Sequence, residues 1–520
     1  MVSQVITATV VGIDSYKILV EVDLVQSIPS VVIVGLPDTA VSEAKERVRT
    51  AIKNSGFVFP NQKVVINLAP ADIKKEGTNY DLPIAIGILA RDGIVDEEKI
   101  KDTAFLGELS LDGSLRAVNG ILPITAGLRE LGIKQVVVPQ DNAKEAALIP
   151  DIKVLSAKNL AQAAAHFGTE EHYADNSGEK ELEVCEVYID DYLNEYTTTH
   201  YEYDFKDIKG QLKAKKALEI AAAGGHNILM TGPPGSGKTL LSKSFASILP
   251  PLELEEAIEL TKIYSVSGLL QPDNPLVNKR PFRVVHHTAS AVGIIGGGSS
   301  PKPGEITLAH KGVLFLDEIV EFPRSVLEVL RQPLEDGEVV ISRAQTSVKF
   351  PADFMLLGAM NPCPCGYLGD SQKQCTCSEF QIQRYRSRLS GPLLDRIDIQ
   401  IDVPRLSSDE LLNKNFKSEC SADIRKRVIK ARQIQVERYK NHPILTNSQL
   451  NAELIKVFCK LDDQSENLLR NAIARFNLSG RSYDRILKLA RTIADLENSA
   501  NIESAHVAQA LQYRNFVDNF

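Results

Sequence analysis

The first 168 residues alternate between short apolar runs and stretches in which apolar residues recur at helical spacing. Short alternating or apolar runs predict β-strands, whereas recurrence at three and four residues predicts helices. The predicted strands cover residues 3–11, 16–24, 64–68, 105–109 and 135–139. The predicted helices cover residues 42–55, 82–89 and 121–131. Strands mixed with helices predict an α+β domain over residues 1–168.

A strand, a glycine-rich loop and a helix follow one another at residues 227–249. The loop reads G-P-P-G-S-G-K-T and matches the phosphate-binding pattern G-x-x-x-x-G-K-[ST] in full. In this pattern backbone N–H groups and a helix N-terminus face phosphates, Lys238 reaches the β/γ oxygens and Thr239 binds Mg²⁺. We therefore predict that this loop binds ATP with Mg²⁺. Its other members are Gly232, Pro233, Pro234, Gly235, Ser236 and Gly237.

Two further apolar runs end on polar side chains. Residues 312–316 predict a buried parallel strand that is followed by Asp317 and Glu318, and residues 354–361 predict another that ends at Asn361. We expect Asp317 to hold Mg²⁺ and Glu318 to polarise the attacking water. The amide of Asn361 could contact water and γ-phosphate, or it could only cap the end of its strand.

Net charge is −8, but the acidic excess is local. Residues 170–204 contain twelve acidic residues and one lysine, so the rest of the chain carries +3. The low apolar content predicts an acidic linker over residues 169–203. No apolar run reaches the ~20 residues of a membrane span, and no secretory leader is visible at the amino end. We therefore expect a cytoplasmic protein without membrane contact.

Four of the seven cysteines form two C-x-C pairs nine residues apart. Four thiols can close a tetrahedral Zn²⁺ site, which here would hold the loop that follows Asn361. The alternative is a set of reduced free thiols. The candidate zinc ligands are Cys363, Cys365, Cys375 and Cys377.

From residue 405 the apolar spacing is helical. Five helices joined by short links are predicted at residues 421–440, 450–460, 463–477, 481–499 and 503–513. We interpret residues 405–520 as a helical lid. The first of these helices is rich in Arg and Lys, which indicates either DNA contact or a solvated basic face.

The amino-terminal part resembles the proteolytic domain of Lon-type proteases, which has a ribosomal S5 domain 2-like fold. The resemblance depends on residues 105–113, F-L-G-E-L-S-L-D-G, and residues 120–123, G-I-L-P. The Ser–Lys dyad of that family does not carry over, because Asn79 lies nearest the serine position and Leu122 near the lysine position. Neither side chain can supply the chemistry. We predict a catalytically dead scaffold, with Lys74 or Lys75 as a remote alternative base.

The part from 204 to 404 resembles the P-loop NTPase core of AAA+ ATPases. The resemblance gives Asn361 the role called sensor 1, and it makes residues 391–398, G-P-L-L-D-R-I-D, an arginine-finger segment in which Arg396 acts on a neighbouring subunit. A salt bridge of Arg396 to Asp395 or Asp398 is the alternative. In the lid, Arg481 matches the sensor 2 arginine, and Arg485 could serve instead.

Two insertions resemble those of the magnesium-chelatase-like branch, and within it the whole chain is similar to the bacterial YifB/ComM group. The first insertion is a long segment that contains residues 280–306, and its His286 and His287 are metal ligands or general bases or, more simply, structural hydrogen-bonding groups. The second is a predicted β-hairpin, residues 337–343 and 346–350, with Arg343 and Lys349 flanking its turn as DNA contacts.

The resemblance implies an α/β multidomain protein that assembles into a ring, expected to be a hexamer. It implies a helicase or branch-migration motor for single-stranded or branched DNA in recombination and natural transformation. A chelatase-like or protein-remodelling ATPase is the alternative. An active protease is disfavoured by Asn79 and Leu122.

Overall fold

A computed structural model describes residues 2–169, 181–189, 192, 201–298, 301–342, 347–407, 410, 418–476 and 478–514. The chain forms two compact units. The amino-terminal unit comprises Met1–Glu195 together with Leu254–Asn278, and the carboxy-terminal unit comprises Tyr196–Glu253 together with Lys279–Phe520. The domain boundaries expected from the sequence remain predictions. The segment Leu254–Asn278, expected within the range 204–404, packs with the amino-terminal unit.

The described part of the amino-terminal unit contains an eight-stranded mixed sheet. In spatial order its strands are Glu183–Val184, Lys153–Ala157, Gln135–Pro139, Thr103–Phe105, Ser3–Val11, Asp14–Val25, Lys63–Ala69 and Ser30–Val34. A small two-stranded ribbon, Glu108–Leu109 with Leu115–Arg116, lies outside this sheet. The helices of the unit are Thr39–Asn54, Asp81–Arg91, Glu97–Ile100, Ile121–Glu130, Gln140–Ala146, Leu160–His166 and Leu254–Val266.

Local sequence explains where these helices begin and how they pack. The carboxylate of Asp38 accepts the backbone N–H of Val41 and caps Thr39–Asn54. Asp81–Arg91 is apolar on nearly all sides, and residues 81–90 are buried. A helix that is hydrophobic all round belongs in a core, so this one lies against the sheet with Val5 and Val22 among its neighbours.

In the carboxy-terminal unit, the described residues form a five-stranded parallel sheet. The strand order is Phe282–Val285, Val313–Leu316, Met355–Met360, Ile228–Thr231 and Ile399–Asp402. The first and last strands were not predicted, because polar side chains such as Arg283 and Gln400 interrupt their short apolar runs. A mixed α/β fold built on a parallel sheet agrees with the expected fold class.

Two antiparallel hairpins extend from this unit, Gly296–Gly297 with Lys302–Pro303 and Glu338–Ser342 with Ser347–Pro351. The helices before residue 405 are Leu212–Gly224, Lys238–Phe245, Ala291–Ile295, Glu305–Leu308, Arg324–Val329, Pro333–Asp336, Glu379–Arg386 and Gly391–Leu394. Single 3₁₀ turns lie at Phe205–Asp207, Ala246–Ile248, Ile319–Glu321 and Asn447–Gln449.

Each of the five helices predicted after residue 405 has a counterpart: Ser421–Tyr439, Ala452–Phe458, Asp463–Phe476, Gly480–Leu496 and Ser504–Gln512. These helices share one hydrophobic core with the sheet, in which Val428 and Ile493 pack in the same cluster as Met230. Within the described ranges, none of the helices combines the length and the apolarity needed to cross a bilayer.

Candidate functional site

Three neighbouring strands of the parallel sheet end at the predicted nucleotide site. Ile228–Thr231 pairs with Met355–Met360, which pairs in turn with Val313–Leu316. The carboxyl ends of parallel strands meet at one edge, where open α/β sheets bind their ligands. The P-loop, the Asp317–Glu318 pair and Asn361 follow these three ends directly. The topology thus brings the predicted residues together.

The P-loop backbone turns at two glycines that have positive φ. Gly235 has φ +77° and Gly237 has φ +93°, and apart from the adjacent residues no atom of the described chain lies within 4 Å of where a Cβ would sit at either. This space allows phosphate oxygens to approach the backbone N–H groups. At Gly232, by contrast, a Cβ would lie 2.2 Å from the carbonyl oxygen of Val403, so only glycine fits there. The buried hydroxyl of Ser236 has no hydrogen-bond partner within the described residues.

The ammonium group of Lys238 lies at the centre of the loop. Its Nζ donates to the carbonyl oxygens of Gly232, at 2.6 Å, and Pro233, at 3.0 Å, and lies 3.4 Å from Oδ1 of Asn361. Burial lowers the pKa of Lys238 to about 8, although the charges of Asp317 and Glu318 oppose the shift. A buried ammonium of this kind is stabilised by added negative charge, such as that of a bound phosphate.

Oxygen ligands suitable for Mg²⁺ lie beside the loop. Oγ1 of Thr239 donates to Oδ2 of Asp317 at 3.1 Å, so the two predicted ligands are already within reach of one ion. Glu318 adopts the left-handed conformation with φ +51°, which a non-glycine residue rarely does outside functional or strained positions. The hydroxyl of Thr239 and the carboxylate of Asp317 are donors that fit Mg²⁺. The Glu318 carboxylate is not part of this pair.

One neighbour of this carboxylate was not assigned to the site from the sequence. Nδ1 of His287 lies 3.9 Å from Oε2 of Glu318, and the ring of His286 contacts that of His287 in a tilted arrangement, with 4.0 Å between centroids. His287 follows the strand Phe282–Val285, which lies parallel to the strand before Glu318. Recognising that strand would have placed His287 near the site. His286 itself bonds Thr288 through Nδ1 at 2.9 Å.

The predicted finger residue Arg396 forms an ion pair within its own chain. Its guanidinium contacts the carboxylate of Glu335 and donates to the carbonyl oxygen of Pro392 at 2.7 Å. The partner is Glu335 rather than the Asp395 or Asp398 that the sequence suggested. Its Nε is buried and has no partner among the described residues, so this guanidinium is not fully satisfied in the single chain.

The two candidate sensor arginines differ in burial. Arg481 is mostly exposed and lies 3.6 Å from Oδ2 of Asp395, whereas Arg485 is mostly buried and lies 3.6 Å from Oδ1 of Asp398. Burial opposes ionisation of Asp398, but a hydrogen bond from His226 and nearby positive charges outweigh it and lower the pKa of Asp398 to about 2. The structure thus gives Arg485 a buried structural pair and leaves Arg481 more accessible.

The four clustered cysteines converge. Sγ of Cys363 lies 3.4 Å from Sγ of Cys365 and 3.6 Å from that of Cys375, and all four Sγ atoms, including that of Cys377, lie within 4.8 Å of one another. Thiolates around a tetrahedral Zn²⁺, with Zn–S bonds near ~2.3 Å, place sulfur atoms at comparable separations. The donor set therefore fits Zn²⁺.

The positions compared with a protease dyad in the amino-terminal unit are engaged in packing. Nδ2 of Asn79 donates to the carbonyl oxygen of Ala8 at 2.9 Å, and Leu122 is fully buried. Lys75 is buried with its ammonium on the carbonyl of Pro70, and Lys74 pairs with Glu76. These four side chains therefore supply neither a nucleophile nor a base next to a nucleophile.

The predicted DNA contacts lie on or beside the hairpin Glu338–Ser342 with Ser347–Pro351. Lys349 is exposed, and its ammonium pairs with Oε1 of Glu338 at 3.0 Å on the opposite strand. Arg343 lies outside the described residues. An exposed ion pair of this kind contributes little to stability, so the ammonium of Lys349 can leave Glu338 and pair with a phosphate.

Three family models match the chain. The model described as magnesium chelatase, subunit ChlI, matches residues 204–411. A second, subunit ChlI of Mg-chelatase, matches residues 20–142, and a third, the ChlI C-terminal model, matches residues 418–514. Together these matches cover most of both compact units.

Two similar proteins match this chain over nearly its full length, and a third matches about half of it. The competence protein ComM of Haemophilus influenzae is 42% identical over 508 residues, which are 97% of this chain and 96% of that protein. The uncharacterized protein YifB of Escherichia coli is 39% identical over 509 residues, 98% of this chain and 96% of its own. A magnesium-chelatase subunit ChlI homolog of Methanocaldococcus jannaschii is 24% identical over 331 residues, covering 54% of this chain and 81% of that protein.

Proposed function

Because this chain belongs to the YifB/ComM family of magnesium-chelatase-like proteins, which is consistent with an ATPase, we propose that it is a Mg²⁺-dependent AAA+ ring motor acting on DNA. Its substrate in this proposal is single-stranded or branched DNA during recombination and natural transformation. The ring is a hexamer in which one subunit completes the ATP site of the next.

The convergence of Lys238, Asp317, Glu318 and Asn361 at one edge of the parallel sheet carries the proposal. Lys238 holds phosphate oxygens, and bound Mg²⁺ would neutralise phosphate charge while Thr239 and Asp317 hold it. Glu318 accepts a proton from the attacking water, and Asn361 orients that water against the γ-phosphate. Arg481 contributes from the helical part as sensor 2.

The hairpin and one relative's name favour DNA as the substrate. The exposed ammonium of Lys349 is available to a phosphate backbone, and Arg343, six residues earlier in the sequence, adds a second positive charge. The Haemophilus relative is named a competence protein. We propose that the hairpins of several subunits line a pore through which a strand passes.

The domain assignments and the zinc site are part of the same proposal. We propose a Lon-like, catalytically dead domain over residues 1–168, an acidic linker over 169–203, an ATPase core over 204–404 and a helical lid over 405–520. We also propose that Cys363, Cys365, Cys375 and Cys377 hold a structural Zn²⁺.

ATP hydrolysis measured with and without branched DNA, at low and high salt, tests the proposal. We expect DNA to stimulate hydrolysis and the stimulation to fall as salt rises, because phosphate contacts release counterions. Basal hydrolysis without DNA stimulation would instead favour a chelatase-like or protein-remodelling ATPase. The likeness to the magnesium-chelatase subunit ChlI homolog of Methanocaldococcus jannaschii gives that second candidate its support.

A further inference from the structure

The loop that carries the four cysteines packs directly against the P-loop. This cysteine loop, residues 363–377, begins two positions after Asn361. Gly366 has φ +85°, and a Cβ there would lie 2.8 Å from Cδ of Pro234. The same Cβ would lie 3.9 Å from Cγ of Asn361. The cysteine loop therefore supports both the P-loop and the predicted sensor at close range.

Arg405 ties the two loops together. Its Nε lies 3.2 Å from Oδ2 of Asp370, in the stretch between the two C-x-C pairs, and its Nη2 lies 3.3 Å from the carbonyl oxygen of Pro234. The side chain of Asp370 is fully covered, and its Oδ1 accepts the backbone N–H groups of Gln372 and Lys373. One guanidinium thus connects the middle of the cysteine loop to the backbone of the phosphate cradle.

The cysteine loop has little apolar packing of its own. Cys363 and Gly366 are buried, but residues 371–374 and Thr376 are exposed. A segment with so few buried apolar contacts has low local stability unless something else fixes it. Four converging thiols provide that constraint when they share a metal ion, because binding energy at such a site stabilises the fold around it.

We propose that metal binding at the four thiols and nucleotide binding at the P-loop are energetically linked. A Zn²⁺ ion on these thiolates holds the cysteine loop where Gly366 and Arg405 support Pro234, and nucleotide in the P-loop strengthens metal binding in return. This linkage rests on the proposed function for its nucleotide. A coupling free energy acts equally in both directions, and such couplings are typically worth ~5–150-fold in affinity.

The test uses the full-length protein in four states, with or without Zn²⁺ and with or without nucleotide. The dissociation constant of a fluorescent ADP analogue is measured on zinc-loaded protein, on protein stripped by a chelator, and after Zn²⁺ is restored. We expect stripping to weaken nucleotide binding about tenfold and restoration to reverse the loss. Competition with a chelator of known affinity should show zinc binding strengthened by the same factor when ADP is present.

Substitutions in the bridge separate linkage from general damage. Arg405→Ala and Asp370→Ala keep all four thiols, so each should retain zinc. In each variant the ratio of the nucleotide dissociation constant without zinc to that with zinc should fall towards one. Lys373→Ala is the matched control, because Lys373 is exposed in the same loop with its ammonium over the ring of Tyr367. We expect that variant to keep the full ratio.

The outcomes are distinct. Zinc-loaded protein that fails to bind nucleotide at all would overturn the proposed function and the linkage with it. Equal nucleotide affinity with and without zinc would overturn the linkage alone, as would a chain that takes up no zinc. An unchanged ratio in both bridge variants would show that the linkage between zinc and nucleotide does not depend on the contacts of Arg405.

Discussion

At the scale of single residues, the proposed mechanism gives Lys238 and Glu318 different roles within one site. In that proposal the ammonium of Lys238 binds phosphate in the ground state, whereas the Glu318 carboxylate contacts only the attacking water. We expect Lys238→Ala to weaken ATP binding by about 10–100-fold, since a charge-assisted hydrogen bond is worth ~1.5–3 kcal/mol. We expect Glu318→Gln to bind ATP normally but to hydrolyse it ~10²–10⁴-fold more slowly.

Equilibrium binding of a fluorescent nucleotide and steady-state phosphate release measure these two effects separately. Glu321→Gln is the matched control, because Glu321 is a carboxylate in the adjoining 3₁₀ turn that pairs with Arg388 at 2.9 Å. That variant should change neither quantity. Equal loss of nucleotide affinity in Lys238→Ala and Glu318→Gln would contradict the separate roles.

Asp398 predicts a pH dependence of stability. The pKa of Asp398 falls from 3.8 to about 2 on folding, so folding favours its ionised form. A shift of this size contributes about 2 kcal/mol. That contribution is fully present above pH ~4 and is lost as the pH falls through 2. Asp398→Asn should therefore melt at a lower temperature at neutral pH, with a difference from the unmodified protein that narrows in acid.

Thermal melting of the carboxy-terminal unit at several pH values between 7 and 2.5 checks this expectation. Glu437→Gln serves as the control, because Glu437 is an exposed carboxylate that pairs only with nearby Lys440 in the described structure. The control should follow the unmodified protein throughout. A melting difference for Asp398→Asn that stays constant with pH would show that the ionised carboxylate is not the source of the stabilisation.

The position of a residue in the candidate site could be predicted where a motif fixes the spacing, and not where its partner is distant in sequence. The P-loop pattern placed Lys238 and Thr239 because all its members lie within eight residues. The pair between Arg396 and Glu335 joins residues 61 positions apart, and the contact of His287 with Glu318 depends on the pairing of two strands. Sequence spacing holds no information on either contact.

At the scale of elements, most buried strands and the long helices could be predicted from the sequence. The compact unit to which each element belongs could not. The helix Leu254–Val266 follows the P-loop helix, yet it packs with the amino-terminal unit, where the backbone oxygen of Ser265 accepts the N–H of Gly120 at 3.1 Å. Apolar spacing shows which face of a helix is buried, and it does not show which surface covers that face. The strands Phe282–Val285 and Ile399–Asp402 were missed for a separate reason, because polar residues break their short apolar runs and alternation over four residues is weak evidence.

The hairpin Glu338–Ser342 with Ser347–Pro351 carries a prediction on DNA. We expect Arg343→Ala combined with Lys349→Ala to reduce DNA-stimulated hydrolysis several-fold and to leave basal hydrolysis nearly unchanged, because in the proposed motor these cations meet DNA phosphates rather than ATP. Hydrolysis with and without branched DNA measures both rates. The salt dependence of DNA binding should also become shallower, since fewer phosphates are neutralised.

Lys134→Ala is the matched control for the hairpin variant. Lys134 is also an exposed lysine held by one carboxylate, Asp102, at 2.8 Å, but it lies in the amino-terminal unit. Its loss should leave DNA stimulation intact. Stimulation that survives in the hairpin variant would remove the hairpin from the DNA path.

At the scale of the whole molecule, Arg396 distinguishes a motor that works alone from one that works as a ring. In the single chain its guanidinium pairs with Glu335. If that pair were the whole role of Arg396, Glu335→Ala would reproduce the effect of Arg396→Ala. If Arg396 acts on a neighbouring subunit, Glu335→Ala should keep most of the hydrolysis, whereas Arg396→Ala should bind ATP normally and lose ~10³-fold or more in rate.

Mixing variants tests whether Arg396 acts across a subunit junction. Subunits with Arg396→Ala retain an intact P-loop, and subunits with Lys238→Ala retain an intact Arg396. In the proposed ring, each variant alone makes every junction defective, whereas mixed rings contain some junctions that pair an intact P-loop with an intact arginine. Partial hydrolysis should therefore return on mixing, at a level that depends on the ratio of the two subunits. Sedimentation must first show that mixed rings form, and if they form without any return of activity, Arg396 does not complete the site of a neighbour.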